Sequence, residues 1–308
     1  MKIVDIVVPA YNEEEGLPEF YKVLKKLSDS LSEFEFRFVF VNDGSSDRTL
    51  DVIKDLASRD SMVRYISFSR NFGKEAAIYA GLQHSVGDYT VLMDADLQHP
   101  PELIPEMLKA LESGEWDACG AKRRSGTMSR LFTSVNNKMS TVKLQPGATD
   151  YMCMSRKFVE AVMMLSERQR FTKGLFAWVG FRVKWFDYVQ NPRTQGTSKW
   201  KFRQLLAYAM DGISGFSTIP LKLVTWSGAI ICLLAILYII ITLIKTLICG
   251  IDVPGYVTTL VIILFLGGVV LLSVGILGDY IGRIFLEIKN RPLYIAESTN
   301  IEEETKDR

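Results

Sequence analysis

The chain has 308 residues, with 36 Lys and Arg against 35 Asp and Glu, a net charge of +1, and 48% hydrophobic residues. That even balance, with no Lys/Arg run, argues against a nucleic-acid partner. The cysteines Cys119, Cys153, Cys232 and Cys249 form no CxxC pair, so reduced thiols in a cytosolic compartment are expected rather than disulfides or a zinc site.

The chain opens on an apolar run over residues 3–9, which predicts a short buried strand. No basic n-region, apolar h-region and cleavage site succeed one another there, so no signal peptide is expected. Leu17, Phe20, Leu24, Leu27 and Leu31 repeat at helical spacing. Residues 36–41 predict a second strand, and Leu50, Ile53 and Leu56 a second helix. A third strand is predicted over 63–68 and a third helix over 76–82. A fourth strand covers 89–93, and a helix over 101–111 starts with prolines suited to its first turn. Alternating strands and helices predict a parallel sheet covered on both faces, with ligands at the carboxyl ends of its strands.

Two later runs of 22 residues each, 223–244 and 256–277, carry no charge. Each matches the ~20 residues needed to cross a bilayer. Separated by about ten residues, they read as a transmembrane hairpin with Trp226 and Tyr256 near its interfaces. Arg193, Lys199, Lys201, Arg203 and Lys222 precede the first run, and Arg283, Lys289 and Arg291 come after the second. The loop between has only Lys245, offset by Asp252. Positive flanks stay inside, so the N-terminal domain and the tail should both face the cytoplasm of a two-pass cell-membrane protein. Four parts are expected: a catalytic domain over 1–195, interfacial helices over 196–220, two spans over 221–284 (about 223–244 and 256–278), and a cytoplasmic tail over 285–308. Within 199–216, Trp200, Phe202, Leu205, Leu206, Ala209, Ile213 and Phe216 share one helical face beside Lys199, Lys201 and Arg203. That is the pattern of an amphipathic helix at a lipid surface, or of one packed on the domain. Residues 291–296 are a candidate strand for docking on a neighbouring subunit.

The most telling stretch is 91–101, where an apolar run stops at Asp94-Ala95-Asp96, followed by Leu97, Gln98, His99 and two prolines. Carboxylates at i and i+2 fall on one side of extended backbone. Such a pair suits Mg²⁺ or Mn²⁺, which bind through a few carboxylates plus substrate phosphates. The other strand ends agree. They carry 9–14 (Pro-Ala-Tyr-Asn-Glu-Glu), 42–47 (Asn-Asp-Gly-Ser-Ser-Asp) and 70–74 (Arg-Asn-Phe-Gly-Lys), each an ordinary turn alone and a nucleotide cleft jointly. No G-x-G occurs, which excludes a Rossmann dinucleotide site. The segment 196–199 lacks the order of a P-loop. A diphosphate would then be held through Asp94 and Asp96 by metal rather than by a glycine cradle.

These stretches, with Arg193-Thr-Gln-Gly-Thr-Ser-Lys199, resemble the family 2 glycosyltransferases of the GT-A fold over about residues 3–290. The likeness is strongest to the polyprenyl-phosphate glycosyltransferases, including bacterial bactoprenol glucosyltransferases and dolichyl-phosphate mannose synthase. The resemblance implies an α/β, GT-A-type, mostly parallel sheet with helices on both faces, followed by interfacial helices and the transmembrane hairpin. It implies a nucleotide-sugar donor, held by Pro9, Tyr11, Glu13, Asp43, Asp94, Ala95 and Gln98, with Asp94 and Asp96 as metal ligands. Where the family has an arginine on its fifth strand this chain has Lys122, with Arg123 beside it. Arg193 and Lys199 match a basic pair that closes over the diphosphate, and Asp150 matches the place of the catalytic base. A phosphate acceptor is already largely ionised at neutral pH, so Asp150 either takes a proton or orients the acceptor or a cation. Arg124, Arg130, Arg168 and Arg170 are candidates to grip a lipid phosphate.

The activity implied is inverting, metal-dependent hexose transfer from a nucleoside diphosphate sugar, a UDP-sugar by analogy with bacterial relatives, to undecaprenyl phosphate. The resemblance also implies a homo-oligomer, a tetramer. Two other readings remain: a processive polysaccharide synthase, against which stand only two spans and no Arg-Trp pair, and a non-enzymatic membrane scaffold that keeps the fold.

Overall fold

The computed structural model describes residues 1–123, 133–134, 137–138, 140, 142–189, 219–249 and 255–301. Of the residues singled out above, Arg124, Arg130, Arg193 and Lys199 and the amphipathic segment 199–216 lie outside these.

In chain order the elements are β1 (Lys2–Ala10), α1 (Leu17–Ser30), β2 (Phe34–Asn42), α2 (Thr49–Arg59), β3 (Val63–Phe68), α3 (Lys74–Gln83) and β4 (Tyr89–Leu92). A 3₁₀ turn (Pro101–Leu103) leads into α4 (Ile104–Glu112). Then come β5 (Ala118–Arg123), β6 (Ala148–Ser155), α5 (Arg156–Met163), α6 (Thr172–Trp178), β7 (Val183–Tyr188), α7 (Ile219–Cys249), α8 (Tyr256–Ile288) and β8 (Ala296–Thr299). Among the described residues the strands form one eight-stranded sheet in the order β7-β5-β6-β4-β1-β2-β3-β8. The pairs β1–β2, β1–β4 and β2–β3 are parallel, as the alternating pattern predicts, and so is the pair β5–β7. The strand β6 lies between β4 and β5 and runs antiparallel to both, so the sheet is mixed beyond its first half.

Two-residue periodicity sends side chains to opposite faces. Val4, Ile6 and Val8 of β1 join Phe34, Phe36, Phe38 and Phe40 of β2 in one core, which α1, α2 and α4 cover through Leu17, Phe20, Leu24, Ile53, Met107 and Leu108. Val7 and Val39 face the other way, toward Ile78 and Leu82 of α3, Phe158 of α5 and Phe176 of α6. Burying each such side chain contributes roughly 1.5–3 kcal/mol. Helix α3 sits so close to β1 that a Cβ at Gly81 would meet Val7 Cγ1 at 2.1 Å. The buried Asp5 carboxylate accepts hydrogen bonds from Ser85 Oγ and the amides of Val86 and Gly87, closing the α3–β4 turn.

Helices α7 and α8 are long and apolar enough to cross a membrane, with their most apolar windows at Leu221–Tyr238 and Phe265–Ile288. Their large side chains are outward and exposed, Leu233 by 69% and Leu271 by 74%, as lipid-facing surfaces require. After α8 the chain returns to the domain. β8 pairs antiparallel with β3, Tyr294 stacks on Phe68 with ring centroids 4.7 Å apart, and its hydroxyl meets His84 Nε2 and Gln83 Oε1. This corrects one expectation. The strand after α8 lies at Ala296–Thr299 rather than over 291–296, and it docks on its own chain's sheet. Period-two patterning marks a strand but not its partner, and the returning chain covers the edge that β3 presents.

Candidate active site

The carboxyl ends of β1, β2, β3 and β4 form one rim, and their loops are tied to one another by hydrogen bonds. Asn12 Oδ1 accepts from the Ser46 amide at 2.9 Å, and the Asn12 amide donates to Ser45 Oγ at 3.0 Å. The Glu13 amide donates to Thr49 Oγ1, and Glu14 Oε2 accepts from the Arg48 amide. These bonds lock the loop after β1, which carries Tyr11 and Glu13, onto the loop after β2. Pro9 lies opposite Val41, one residue before the end of β1, and Tyr11 is 39% exposed.

Asp43 is buried at the end of β2. Its Oδ1 accepts from the Phe72 amide at 2.7 Å and the Gly73 amide at 3.1 Å. Its Oδ2 accepts from the Gly73 amide and Asn71 Nδ2, both at 3.0 Å. The carboxylate thus clamps the turn that starts α3. Burial holds its pKa above the usual value, and the two amides and Arg70 offset only part of that. Gly44 beside it has φ +61°, and a Cβ there would lie 2.2 Å from the Arg70 carbonyl carbon. Only glycine fits such a position.

The Asp94–Pro101 turn is built tightly. Leu97 adopts φ +55°, an uncommon conformation for a branched residue, while its side chain packs on the core. Asp96 Oδ1 accepts from the Gln98 amide at 3.1 Å. His99 is buried, stacked on Tyr151, and its Nδ1 accepts a long 3.4 Å bond from the Asp94 amide. Burial lowers the His99 pKa despite the nearby aspartates, so the ring serves as a neutral acceptor beneath the turn. The Tyr151 hydroxyl donates to the Pro100 carbonyl and fixes the double proline. Ala95 is buried, where a larger side chain would push the two carboxylates out of place.

Lys74 joins the two halves of the site. It is the first residue of α3, and its Nζ lies 2.7 Å from Asp94 Oδ1 and 2.8 Å from Asp150 Oδ2. Lys173 Nζ lies 3.8 Å from Asp150 Oδ1. Burial alone would raise the Asp150 pKa, but Lys74 and then Lys173 outweigh it and hold the carboxyl well below the usual carboxylate range. So strong an acid is a weak proton acceptor and a good anchor for cations. Next to Lys74, Glu75 Oε2 accepts from the amide and hydroxyl of Thr172, and burial pushes its pKa up to about 6. Lys74, Glu75, Thr172 and Lys173 were not singled out as site residues from the sequence. The available signal was that Lys74 closes the third strand-end turn.

Lys122 of β5 lies 3.5 Å from Asp187, and the Arg123 amide donates to the Gly147 carbonyl, so both sit on the β5 end of the rim. Arg168 and Arg170 make their direct contacts away from Asp150, with Arg170 in electrostatic reach of Glu75. Arg170 is buried over the Tyr79 ring and donates to the Leu165 carbonyl. Arg168 donates to Asn290 Oδ1, while its amide donates to Glu287 at the end of α8.

Among the described residues no group of three or more His, Cys, Asp or Glu side chains could hold a metal ion. Two hard carboxylates on one turn still fit Mg²⁺ or Mn²⁺, because such ions complete their shells with water and substrate phosphate.

Residues 5–168 match the family model "Glycosyl transferase family 2", and residues 219–284 match "GtrB C-terminal hairpin". The chain is 46% identical to a putative glycosyltransferase, CsbB, of Bacillus subtilis, covering 97% of this chain and 92% of that one. It is 42% identical to the SfII prophage-derived bactoprenol glucosyl transferase of Shigella flexneri, covering 96% and 98%. Among solved structures, glucosyl-3-phosphoglycerate synthase of Mycobacterium tuberculosis aligns with a TM-score of 0.47 and 22% identity, over 69% of this chain and 81% of that one.

Proposed function

Because this chain belongs to glycosyl transferase family 2, we propose that it moves a hexose from a nucleoside diphosphate sugar, a UDP-sugar, to a membrane polyprenyl phosphate. The observation that carries this reading is the pairing of two unlike halves in one chain. A rim of carboxylates and amides suited to a polar donor is followed by two membrane-length helices suited to a lipid acceptor. The bactoprenol glucosyl transferases that it resembles over nearly its whole length support the same assignment.

In this reading Pro9, Tyr11 and Glu13 on the first loop meet the nucleoside, and Asp43 sets the turn beside it. Asp94 and Asp96 hold a divalent ion whose chemistry, when bound, is to neutralise charge on the departing diphosphate. Gln98, Lys122 and Arg123 border the donor, and Arg193 and Lys199 close over it to exclude water. Direct attack by the acceptor's phosphate on the anomeric carbon inverts its configuration. Asp150 orients the acceptor's surroundings through the ammoniums that it anchors. The catalytic domain is proposed to face the cytoplasm; the positive charges flanking 223–244 and 256–278 support that side, and β8 pairing to β3 supports both flanks of the hairpin lying on one side. The functional unit is proposed to be a homo-oligomer.

The test is a panel of nucleotide sugars with undecaprenyl phosphate and Mg²⁺ or Mn²⁺, followed by product mass. One sugar should be transferred, singly, and chelation should stop it. Asp96→Asn should reduce turnover by about 100-fold or more, a loss typical of removing transition-state charge stabilisation. A long polymer would favour a processive synthase, no turnover a scaffold, and full turnover by Asp96→Asn would remove the metal assignment.

A further inference from the structure

We propose that Lys74 and Lys173, held by Asp150, form the seat for the acceptor's phosphate; this rests on the function proposed above and locates its second substrate. Among the described residues, three unmet bonding capacities converge on Asp150. An ammonium has three N–H donors, and Lys74 uses two of them, on Asp94 Oδ1 at 2.7 Å and Asp150 Oδ2 at 2.8 Å. Lys173 stands 3.8 Å from Asp150 Oδ1, attracted but outside hydrogen-bond range. Asp150 Oδ1 itself is buried and accepts no hydrogen bond among the described residues. A buried acceptor without a donor is costly. The arrangement calls for a group that brings negative charge to two ammoniums and a proton to one oxygen.

A phosphate monoester does both. Its charged oxygens accept from Lys74 and Lys173, and its monoanion, the minor form at neutral pH because the second pKa lies near ~6, has a P–OH to donate to Oδ1. A carboxylate, with a pKa near ~4, keeps far less of its proton at neutral pH, and a neutral hydroxyl lacks the charge. The position is also right for transfer, because Lys74 touches Asp94, at which the donor diphosphate is placed. Two anionic substrates must approach each other there, and a fixed cation between them lowers the repulsion. Arg168 and Arg170 make their contacts at Asn290, Leu165 and Tyr79 rather than at Asp150.

The experiment measures binding of farnesyl phosphate to the full chain in nanodiscs by calorimetry, with farnesol and inorganic phosphate as separate arms. UDP-sugar binding and thermal unfolding of each variant serve as controls. Lys173→Met is the cleaner variant, because it touches Asp150 but neither aspartate of the donor turn. It should weaken farnesyl phosphate binding about tenfold or more and leave UDP-sugar binding within about threefold. Lys74→Met should weaken it at least as much, and Lys74→Arg should restore part of the loss. Unchanged farnesyl phosphate binding in both Met variants would overturn the proposal, as would farnesol binding as tightly as its phosphate. Inorganic phosphate binding as tightly as farnesyl phosphate would overturn the assignment to a lipid acceptor. Lysine-dependent binding without sugar transfer by the wild type would leave the seat standing and remove the proposed activity instead.

Discussion

Replacing Asp43 with alanine tests whether that carboxylate is the clamp on which Lys74 depends. The substitution removes the acceptor for the Phe72 and Gly73 amides and for Asn71 Nδ2. Asn71 is exposed, and water can replace that bond. The two amides are half-buried, and a hydrogen bond to a charged acceptor contributes roughly 1.5–3 kcal/mol. Partial access to water brings the loss to about 1–2 kcal/mol for each amide. Against this stands relief of the carboxylate's own burial, visible in its raised pKa. The net cost is then about 1–3 kcal/mol. At roughly 2–4 °C per kcal/mol for a domain of this size, the midpoint should fall by about 2–12 °C. Asp43→Asn keeps one oxygen for the amides and should lose about half as much. Lys74 lies one residue beyond the clamp, so turnover should fall further than stability alone explains. The assay is differential scanning fluorimetry of the purified full chain, paired with initial rates at a temperature where all variants are folded. An alanine variant that melts within about 1 °C of wild type and turns over at the wild-type rate would refute the reasoning.

Glu75 should give a pH-dependent stability. Its folded pKa of about 6 exceeds its ordinary 4.5, so the folded state binds the proton more tightly. The associated stability is complete below about 4.5 and is lost as pH rises through about 6. Glu75→Gln keeps an oxygen for Thr172 and stays neutral, so it should stabilise the protein at about pH 8 by up to about 2 kcal/mol and show no gain near pH 4.5. Equal melting shifts at both pH values would refute this. Tyr294→Ala removes the stack on Phe68 and the bonds to His84 and Gln83. Amide exchange in β8 and along the facing edge of β3 should then quicken by at least about tenfold. An unchanged exchange profile would mean that strand pairing alone holds the segment.

The sheet's first half was readable because each buried strand is a continuous apolar run that stops at a polar turn, and each covering helix shows its stripe. Leu17, Phe20 and Leu24, for example, all reach the core. The Asp94-Ala95-Asp96 turn was legible for the same reason: charge directly after a buried run must lie at a strand end. What was not legible depends on contacts distant in sequence. Lys74 and Asp150 are 76 residues apart, and no spacing rule joins them. The hold of Asp43 on amides 29 and 30 residues later was hidden for the same reason. The reversed direction of β6 was hidden because an antiparallel strand buried on both faces has the same apolar pattern as a parallel one. The return of β8 was hidden because four residues of mixed polarity carry too little pattern to name a partner.

The pairing of β8 with β3 makes the catalytic domain inseparable from the segment beyond the hairpin. A chain cut after residue 189 would keep the whole carboxylate rim and still lose the strand that covers the sheet's last edge. Bare amides and carbonyls along β3 would then recruit other molecules edge to edge, and such a fragment should clump during expression rather than stay dispersed. Shortened versions should therefore delete within the hairpin and splice residues 290–301 back onto the domain through a flexible bridge.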